Sequence, residues 1–469
     1  MDEVKVIGLE LASTNDVTFP SLKILRFEDM SSWEVWSTNR EVMFPCLQEL
    51  EIKKCPKLID VSLKALDSLR VLTIDNCSEI VLRNLVQAAS STTKLEIRSI
   101  LGLTDEVWRG VIEKFGSVEE LSIGYCDEIR YLWESNAEAS KVLVNLKELT
   151  VWGCKNLVSL GEKEEEDNIE SNHLSTFKIL DVRFCESMEL KHVCLPGATK
   201  TGRGGKNIKS LIIRGVDMHM ENIKNTSMPM LKTIYITNWE NLKSIIQLSE
   251  STHLTSLIIR SCQSMESFPN LQLPNLTRLD IIGCKNMKEI RDPQIPNLIS
   301  WRIENCENLE SFPDLQLSNL TMLKDLCIRK CRMIDASFPR GIWPPKLLTL
   351  EIGGLKKPIS EWGYQNFPTS LVQLTLFGED DVRNFSQLSH LLPSSLTTLT
   401  ILDFVDLESL STGLQHLTSL QHLRIWKCPK LIHLPETLLA PLLSLRMWEC
   451  QKMEESHPGV AAHTLKLKK

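Results

Sequence analysis

The sequence predicts an α/β solenoid, in which short strands stack into a long parallel sheet and each strand is followed by a return segment. Three observations support this fold class. Leucine and isoleucine recur in a fixed pattern along nearly the whole chain, short proline-containing stretches separate the repeats, and a cysteine falls at the same place in most of them. One complete period is LTSLQHLRIWKCPKLIHLPETL, residues 417–438.

The period emerges when the chain is aligned on the pattern L-x-x-L-x-[LIV]-x-x-C. Eighteen near-matches begin between Leu22 and Leu442. Their mean spacing of about 25 residues lies within the range of leucine-rich repeats. One repeat cannot bury its own apolar edge, so stacked repeats share a continuous core. We therefore expect a leucine-rich repeat horseshoe, with a long parallel β-sheet on the concave face and mostly loops or short helical turns on the convex face.

The spacing of the repeats divides the chain into blocks. Two repeats are stretched by the acidic run GEKEEEDNIESNH (161–173) and by LPGATKTGRGGKN (195–207). We expect residues 1–207 to form an irregular block with long loops at 161–176 and 195–207. Residues 208–455 are expected to form a regular block, and residues 456–469 a mobile basic tail.

Cysteine takes one fixed position in most repeats. Eleven of the 14 cysteines fall eight residues after the first apolar residue of their repeat. The strand ends there and the side chain turns inward, where a thiol packs as a small apolar group. We expect a buried ladder of free thiols, because one cysteine per repeat supplies no converging set of four zinc ligands. The ladder comprises Cys55, Cys77, Cys126, Cys154, Cys185, Cys262, Cys284, Cys306, Cys331, Cys428 and Cys450.

Outside the ladder, Cys327 is expected to point outward from its strand and to be the modifiable thiol. The sequence contains no G-x-S-x-G, no H-E-x-x-H and no dinucleotide fingerprint after a strand. We therefore expect no enzyme activity, no metal and no cofactor. The stretch 197–207 resembles a phosphate loop only loosely, since Lys200 and Asn207 replace the glycine and the Ser or Thr that the motif requires. No bound nucleotide is expected on this chain.

Charge and hydropathy limit the partners and the compartment. The net charge of −7 argues against a general nucleic-acid or membrane-surface binder. No stretch has the length of apolar residues that a membrane span needs, so no membrane span is expected. The N-terminal residues MDEVKVIGLELASTND lack the layout of a signal peptide. We therefore expect a cytoplasmic protein, with the nucleus as the second possibility.

The predicted sheet carries a candidate binding surface. By strand alternation, repeat positions 3, 5 and 7 face outward on the concave side. The middle repeats place arginines there, with acids between them, and the last repeats add large apolar residues. We expect a protein-binding concave surface, because exposed aromatics beside arginines are typical of interface hot spots. The alternative, which stays open, is that the aromatics and arginines only pack on one another. The surface comprises Arg302, Arg329, Phe377, Leu402, Arg424, Trp426, Arg446 and Trp448.

The repeats resemble the leucine-rich repeat region of plant intracellular disease resistance proteins, the coiled-coil class of nucleotide-binding leucine-rich-repeat receptors. Residues 417–438 match their L-x-x-L-x-x-L-x-I-x-x-C-x-x-L-x-x-L-P form. The stretch FPSLKILRFEDMSSWEVW (19–36) is similar to a segment typical of that class, and FPCLQELEIKKCPKL (44–58) continues in the same style. The matching residues of the first stretch are Leu25, Phe27, Met30, Trp33 and Trp36.

The resemblance implies a non-enzymatic scaffold of plant innate immunity that binds a pathogen effector or a guarded host protein. In a full-length receptor it would also restrain the nucleotide-binding switch. The family places a coiled coil and a nucleotide-binding module before the repeats, so this chain is expected to correspond to the repeat portion alone. A stand-alone adaptor, such as a ubiquitin-ligase substrate receptor, remains the alternative. Residues 1–20 are too short for the ligase-docking module that it would need.

Overall fold

The computed structural model divides the chain into two compact units, Met1–Asn241 and Leu242–Lys469. The expected loops at 161–176 and 195–207 and the expected tail at 456–469 lie, apart from Gly161 and Ser456, outside the residues that it describes. The division into an irregular and a regular block therefore stays a prediction. The structure describes residues 4–8, 19–37, 43–134, 141–161, 177–185, 209–214, 230–239, 242, 245, 248, 252–378, 381–410, 414–434 and 442–456.

The first unit contains a parallel sheet in which every strand comes from the L-x-x-L-x-[LIV] part of a repeat. Each strand pairs with the next along the chain at the same repeat position, so that Leu50 lies opposite Leu25 and Leu72. The described strands of this sheet are Ile24–Glu28, Glu49–Lys53, Val71–Asp75, Lys94–Arg98, Glu120–Gly124, Glu148–Trp152, Ile179–Arg183, Ser210–Arg214 and Thr233–Thr237.

The second unit repeats this arrangement with the same register. Leu423 lies opposite Leu399 on one side and Leu445 on the other. The eighteen strands described in the two units correspond to the eighteen predicted repeats. The strands of the second sheet are Ser256–Arg260, Arg278–Ile282, Ser300–Glu304, Asp325–Cys331, Thr349–Leu355, Gln373–Phe377, Thr398–Leu402, His422–Trp426 and Ser444–Trp448.

The return segments are mostly turns with brief helical pieces, as predicted. The sequence did not indicate that some of them also form short parallel ladders. These ladders join Val6–Ile7, Val35–Ser37 and Asp60–Ser62; Tyr131–Trp133 and Ser159–Gly161; and Ser267–Phe268 and Glu289–Ile290. The described helices are Glu79–Ala88, Asp105–Ile112 and Gln451–Ser456, with 3-10 turns at Asp314–Asn319, Ile359–Glu361 and Phe385–Leu391.

Burial alternates along the main strands and confirms the predicted solenoid. In most of them the second and fourth residues are buried while the first and last are more accessible, as in Glu49–Lys53. Inward leucines and isoleucines of consecutive repeats thus stack into one continuous core within each unit. The aromatic residues of the 19–36 stretch pack against one another in the first repeat of this core. The Phe27 ring lies 4.7 Å from that of Trp33 and 5.2 Å from that of Trp36, and both tryptophans are fully buried.

Candidate functional site

The candidate surface lies on the solvent-facing side of the second unit's sheet, where positions 3, 5 and 7 of neighbouring repeats form columns. At its last two strands, Trp426 pairs in register with Trp448, and Arg424 with Arg446. The two indoles are 40% and 56% exposed, respectively. We call Leu402, Arg424, Trp426, Arg446 and Trp448 the Trp–Arg surface.

The two tryptophans do not stack on one another. Of the ring contacts found among the described residues, none joins Trp426 to Trp448 and none places Arg424 or Arg446 over either ring. Trp448 instead donates its Nε1–H to Glu449 Oε1 at 2.8 Å. The ion pairs found in the described part of the chain include neither arginine. Two exposed apolar rings therefore lie beside two positive charges that have no carboxylate partner within that part.

The arginines in the middle of the same sheet differ in this respect. Arg329 Nη2 lies 2.7 Å from Glu304 Oε1, and Arg302 lies 3.7 Å from Glu304 and from Glu351. The Arg278–Asp280 pair, at 2.8 Å, is of the same kind. These charges are largely compensated within the sheet, so Arg302 and Arg329 are poor candidates for capturing an acidic partner.

Phe377 is not available on the surface. Its side chain is only 3% exposed, because the guanidinium of Arg329 lies 4.7 Å above the ring and the backbone of Gly353 lies against its Cβ. Strand alternation correctly assigns Phe377 to the outward column. It does not show that a long side chain from a strand two repeats earlier covers the ring. Phe377 therefore does not contribute to the candidate surface, whereas Arg302 and Arg329 remain on it as partly exposed, ion-paired side chains.

The cysteine ladder is buried throughout. All eleven ladder cysteines are buried free thiols, and most donate to the backbone carbonyl two residues earlier, as Cys428 does to Trp426 O at 3.5 Å. Burial raises the pKa of Cys126 to about 11 and that of Cys428 to about 12. Cys126 and Cys428 are therefore protonated near neutral pH, which suits a packing role rather than a ligand role.

The expectation for Cys327 was wrong. Its position on the strand does point toward the outer side of the sheet, but it is only 4% exposed. Arg302 and Glu351 from the two neighbouring strands and Arg329 from its own strand surround it, and burial raises the pKa of its thiol. The exposed cysteine among the described residues is Cys46, which precedes a main strand and which the repeat pattern did not single out.

A second exposed surface, in the first unit, escaped the sequence reasoning. Tyr125 and Phe184 are each 54% exposed and hold position 8 of their repeats, just beyond the strand. Trp152 lies on the strand between them and contacts the Tyr125 ring at 4.5 Å. Position 8 has a left-handed backbone (φ 50° for Tyr125 and 52° for Phe184), so simple alternation does not predict where its side chain points. We call Tyr125, Trp152 and Phe184 the aromatic row.

Among the described residues, no group of three or more His, Cys, Asp or Glu side chains is placed to hold a metal ion. None of their helices is both long enough and apolar enough to cross a membrane.

The stacked repeats and their parallel sheets define a leucine-rich repeat solenoid. Proteins of this class use the extended sheet face as a binding surface and are typically interaction scaffolds rather than catalysts.

Comparisons with known proteins agree with this class. Residues 21–160 match the family of leucine-rich repeats of RPS2-like plant disease resistance proteins. The chain is 26% identical over 151 residues to disease resistance RPP13-like protein 1 of Arabidopsis thaliana, covering 32% of this chain and 14% of that protein. It is 37% identical over 67 residues to disease resistance protein At3g14460 of the same plant, covering 14% of this chain and 5% of that protein.

Among solved structures, a leucine-rich repeat protein of Leptospira interrogans is 16% identical, with a TM-score of 0.48. The match covers 78% of this chain and 88% of that one. The family match and the two Arabidopsis relatives confirm the resemblance to the repeats of plant disease resistance proteins. The matched segments nevertheless span only small parts of the two Arabidopsis relatives.

Proposed function

We propose that the chain is a non-enzymatic, cytoplasmic protein-recognition scaffold of plant innate immunity. It binds a pathogen effector or a guarded host protein through the Trp–Arg surface. In a longer receptor the same scaffold would also restrain the nucleotide-binding switch. The observation that carries this proposal is the pairing of two exposed indoles with two arginines that lack a carboxylate partner in the described part of the chain.

The chemistry of the surface specifies the partner. Exposed tryptophans supply large apolar area at little entropic cost, and a partner's apolar side chains would cover them. Arg424 and Arg446 lie in register on neighbouring strands, and such strands are about 4.8 Å apart, so carboxylates on one peptide can reach both arginines. The surface therefore fits a protein segment in which acidic residues alternate with bulky apolar ones.

Peptide display tests this proposal without knowledge of the natural partner. A random peptide library is selected on the full chain, and enriched peptides are synthesised and titrated by calorimetry. We expect enriched sequences that combine Asp or Glu with Leu, Phe or Trp. Trp426→Ala and Trp448→Ala should each weaken their binding about tenfold or more, as loss of an interface hot spot does.

The control is Tyr364→Ala, which removes an 80% exposed aromatic on a return segment of the same unit and should leave affinity unchanged. Arg424→Gln combined with Arg446→Gln should weaken binding most at low salt. Peptides that bind both tryptophan variants as tightly as the unaltered chain would refute the assignment of the surface.

A further inference from the structure

The last main strand of the second unit has an open edge. Ser444–Trp448 pairs with His422–Trp426 on one side, and no strand among the described residues pairs with its other side. Met447 on this strand is partly exposed, whereas Ile425 and Ile401, which hold the same position in the two preceding repeats, are fully buried. The edge therefore leaves both backbone groups and part of the apolar core uncovered.

The hydrogen bonds to the preceding strand show which backbone groups remain free. In a parallel ladder the N–H and the C=O of one residue point to the same neighbouring strand, and those of the next residue point to the opposite side. The Ser444 N–H donates to Gln421 O at 3.1 Å, and the Lys427 N–H donates to Trp448 O at 2.9 Å. Ser444, Arg446 and Trp448 are therefore the residues of this strand that bond to the preceding repeat.

The intervening residues direct their backbone groups to the open side. They are Leu445 and Met447, and the carbonyl of Leu443 and the N–H of Glu449 continue the row. None of these groups takes part in a hydrogen bond within the part of the chain that the structure describes. An edge of this kind is a ready template for a further strand. Such a strand would pair the free groups and cover Met447.

The Trp–Arg surface continues onto this strand. Arg446 is exposed and Trp448 is 56% exposed, and both lie on the solvent-facing side of the strand that carries the open edge. A strand added to this edge would lie about 4.8 Å from Ser444–Trp448, close enough for its side chains to contact both residues. One partner segment can therefore cover the surface and the edge together.

Strand alternation specifies the side chains of such a segment. Its residues beside Leu445 and Met447 would face the core and would be apolar. The residue beside Arg446 would face solvent, where a carboxylate complements the guanidinium, and the residue beside Trp448 would be bulky and apolar. The alternation of acidic and apolar residues that the Trp–Arg surface favours is thus the pattern of a strand with one face on the core.

We propose that the partner of the Trp–Arg surface binds by adding a parallel strand to the open edge of Ser444–Trp448. The partner's carbonyls accept hydrogen bonds from the N–H groups of Leu445, Met447 and Glu449, and its own N–H groups donate to carbonyls of the host strand. Main-chain hydrogen bonds supply affinity in this mode of recognition, and side chains supply specificity. This mode of binding rests on the proposed function, because it concerns the same partner segment, and adds how the backbone of that segment is held.

The test is a fluorescence anisotropy titration of the full chain with the labelled peptide TLEIWE and two N-methylated forms of it. In the proposed register the peptide's first glutamate, beside Arg446, and its tryptophan, beside Trp448, direct their N–H groups to the host strand. Methylation of those two nitrogens should weaken binding about tenfold or more, since each loses a hydrogen bond. Methylation of the leucine and isoleucine nitrogens, which face away, should leave the affinity within about twofold.

The methylation pattern also identifies the edge and the strand direction. A parallel strand on the edge of Ile24–Glu28, or an antiparallel strand on Ser444–Trp448, would be held through the leucine and isoleucine nitrogens instead. A matched pair of variants gives a second measure of the edge that is used. Arg446→Gln should weaken binding about threefold or more at low salt. Arg26→Gln, at the same repeat position on Ile24–Glu28, should leave binding unchanged.

Amide exchange measured by NMR reports on the host strand itself. In the free chain the N–H groups of Leu445 and Met447 should exchange faster than those of Arg446 and Trp448, which are bonded to the preceding strand. Saturating peptide should slow the exchange of Leu445 and Met447 about tenfold or more, because both N–H groups then donate to the peptide.

Strand addition is overturned if TLEIWE fails to bind, if both N-methylated forms bind equally well, or if methylation of the leucine and isoleucine nitrogens is the more damaging. It is also overturned if the amides of Leu445 and Met447 exchange slowly in the free chain, because another segment or a second copy would then occupy the edge. In each case library-selected peptides that depend on Trp426 and Trp448 would leave the proposed function intact. Loss of that dependence refutes the proposed function, so the two failures are distinguishable.

Discussion

At the scale of the residue, one left-handed position ends nearly every main strand. Within the described part of the chain, thirteen residues other than glycine have φ between 48° and 62°, and each occupies position 8 of its repeat. The N–H of this residue extends the ladder beyond the strand: Lys427 donates to Trp448 O at 2.9 Å and Asp403 to Trp426 O at 3.0 Å. The backbone then turns so that the next residue, commonly the ladder cysteine, points into the core.

Two glycines eight residues apart test how the backbone conformation at a glycine decides whether alanine there stabilises or destabilises the protein. Gly102 has φ 78°, whereas Gly110 lies inside the helix Asp105–Ile112 with open space where a Cβ would be. Gly102→Ala should lower the free energy of unfolding by about 1–2 kcal/mol, because a left-handed conformation strains an L-residue. Gly110→Ala should raise it by about 0.5–1 kcal/mol. Urea denaturation measures both, and changes of the same sign would contradict this account.

Thr92 offers a second test at this scale. It holds the first apolar position of its repeat, where most repeats have leucine, and its hydroxyl is buried without a hydrogen-bond partner in the described structure. Thr92→Val keeps the shape and removes the unsatisfied group, so the free energy of unfolding should rise by about 1 kcal/mol. The control Thr73→Val, on the accessible side of a strand, should change it by less than about 0.5 kcal/mol. Equal effects would mean that the Thr92 hydroxyl is satisfied.

At the scale of the element, the cysteine ladder lines the points where strands end. The thiols have the ordinary pKa of 9.0 when unfolded, and burial raises that of Cys126 to about 11 in the folded protein. The folded state therefore holds this proton more tightly. The protonated Cys126 thiol therefore contributes to the free energy of unfolding below about pH 9. This contribution is lost as the pH rises toward the pKa of the folded protein.

Thiol labelling tests the ladder directly. In native protein near pH 8, Ellman's reagent should react quickly with Cys46, because it is exposed, and should leave the buried ladder unmodified. Compared with the unaltered chain, Cys46→Ser should lose one fast-reacting thiol. After denaturation without reductant, all 14 cysteines should titrate as thiols. A substantially lower total would show that ladder cysteines form disulfides.

The sequence predicted the strands better than the surfaces. Every described main strand falls at a predicted repeat, because inward burial has a period that the sequence displays directly. Cys327 and Phe377 were misjudged for a different reason: alternation gives a side chain's direction but not the reach of long arginines from other strands. Tyr125 and Phe184 were missed because a left-handed residue does not follow strand alternation.

At the scale of the whole molecule, each repeat is stabilised mainly by its two neighbours. The main-sheet pairings described within each unit join strands of consecutive repeats. In such an array, stability is close to a sum of local terms, and damage to one repeat affects nearby repeats most. This distinguishes a solenoid from a globular domain, where one core couples distant segments.

Leu423→Ala tests this locality. Leu423 is fully buried between Leu399 and Leu445, so the cavity should cost about 2–5 kcal/mol. Hydrogen exchange followed by mass spectrometry should show faster exchange in Thr398–Leu402, His422–Trp426 and Ser444–Trp448. The strand Glu49–Lys53 should exchange as in the unaltered chain. Acceleration of equal size in every strand would contradict a nearest-neighbour array.

The left-handed position has a consequence for how such a protein can change over generations. Lys, Asn, Asp, Ser, Glu, Tyr and Phe all occupy it in this one chain, so its conformation is set by the backbone ladder and not by the side chain. Each repeat thus offers one position where the side chain can change while the core stays intact. A lineage could acquire a new partner by substitution along this single edge, without passing through poorly folded intermediates.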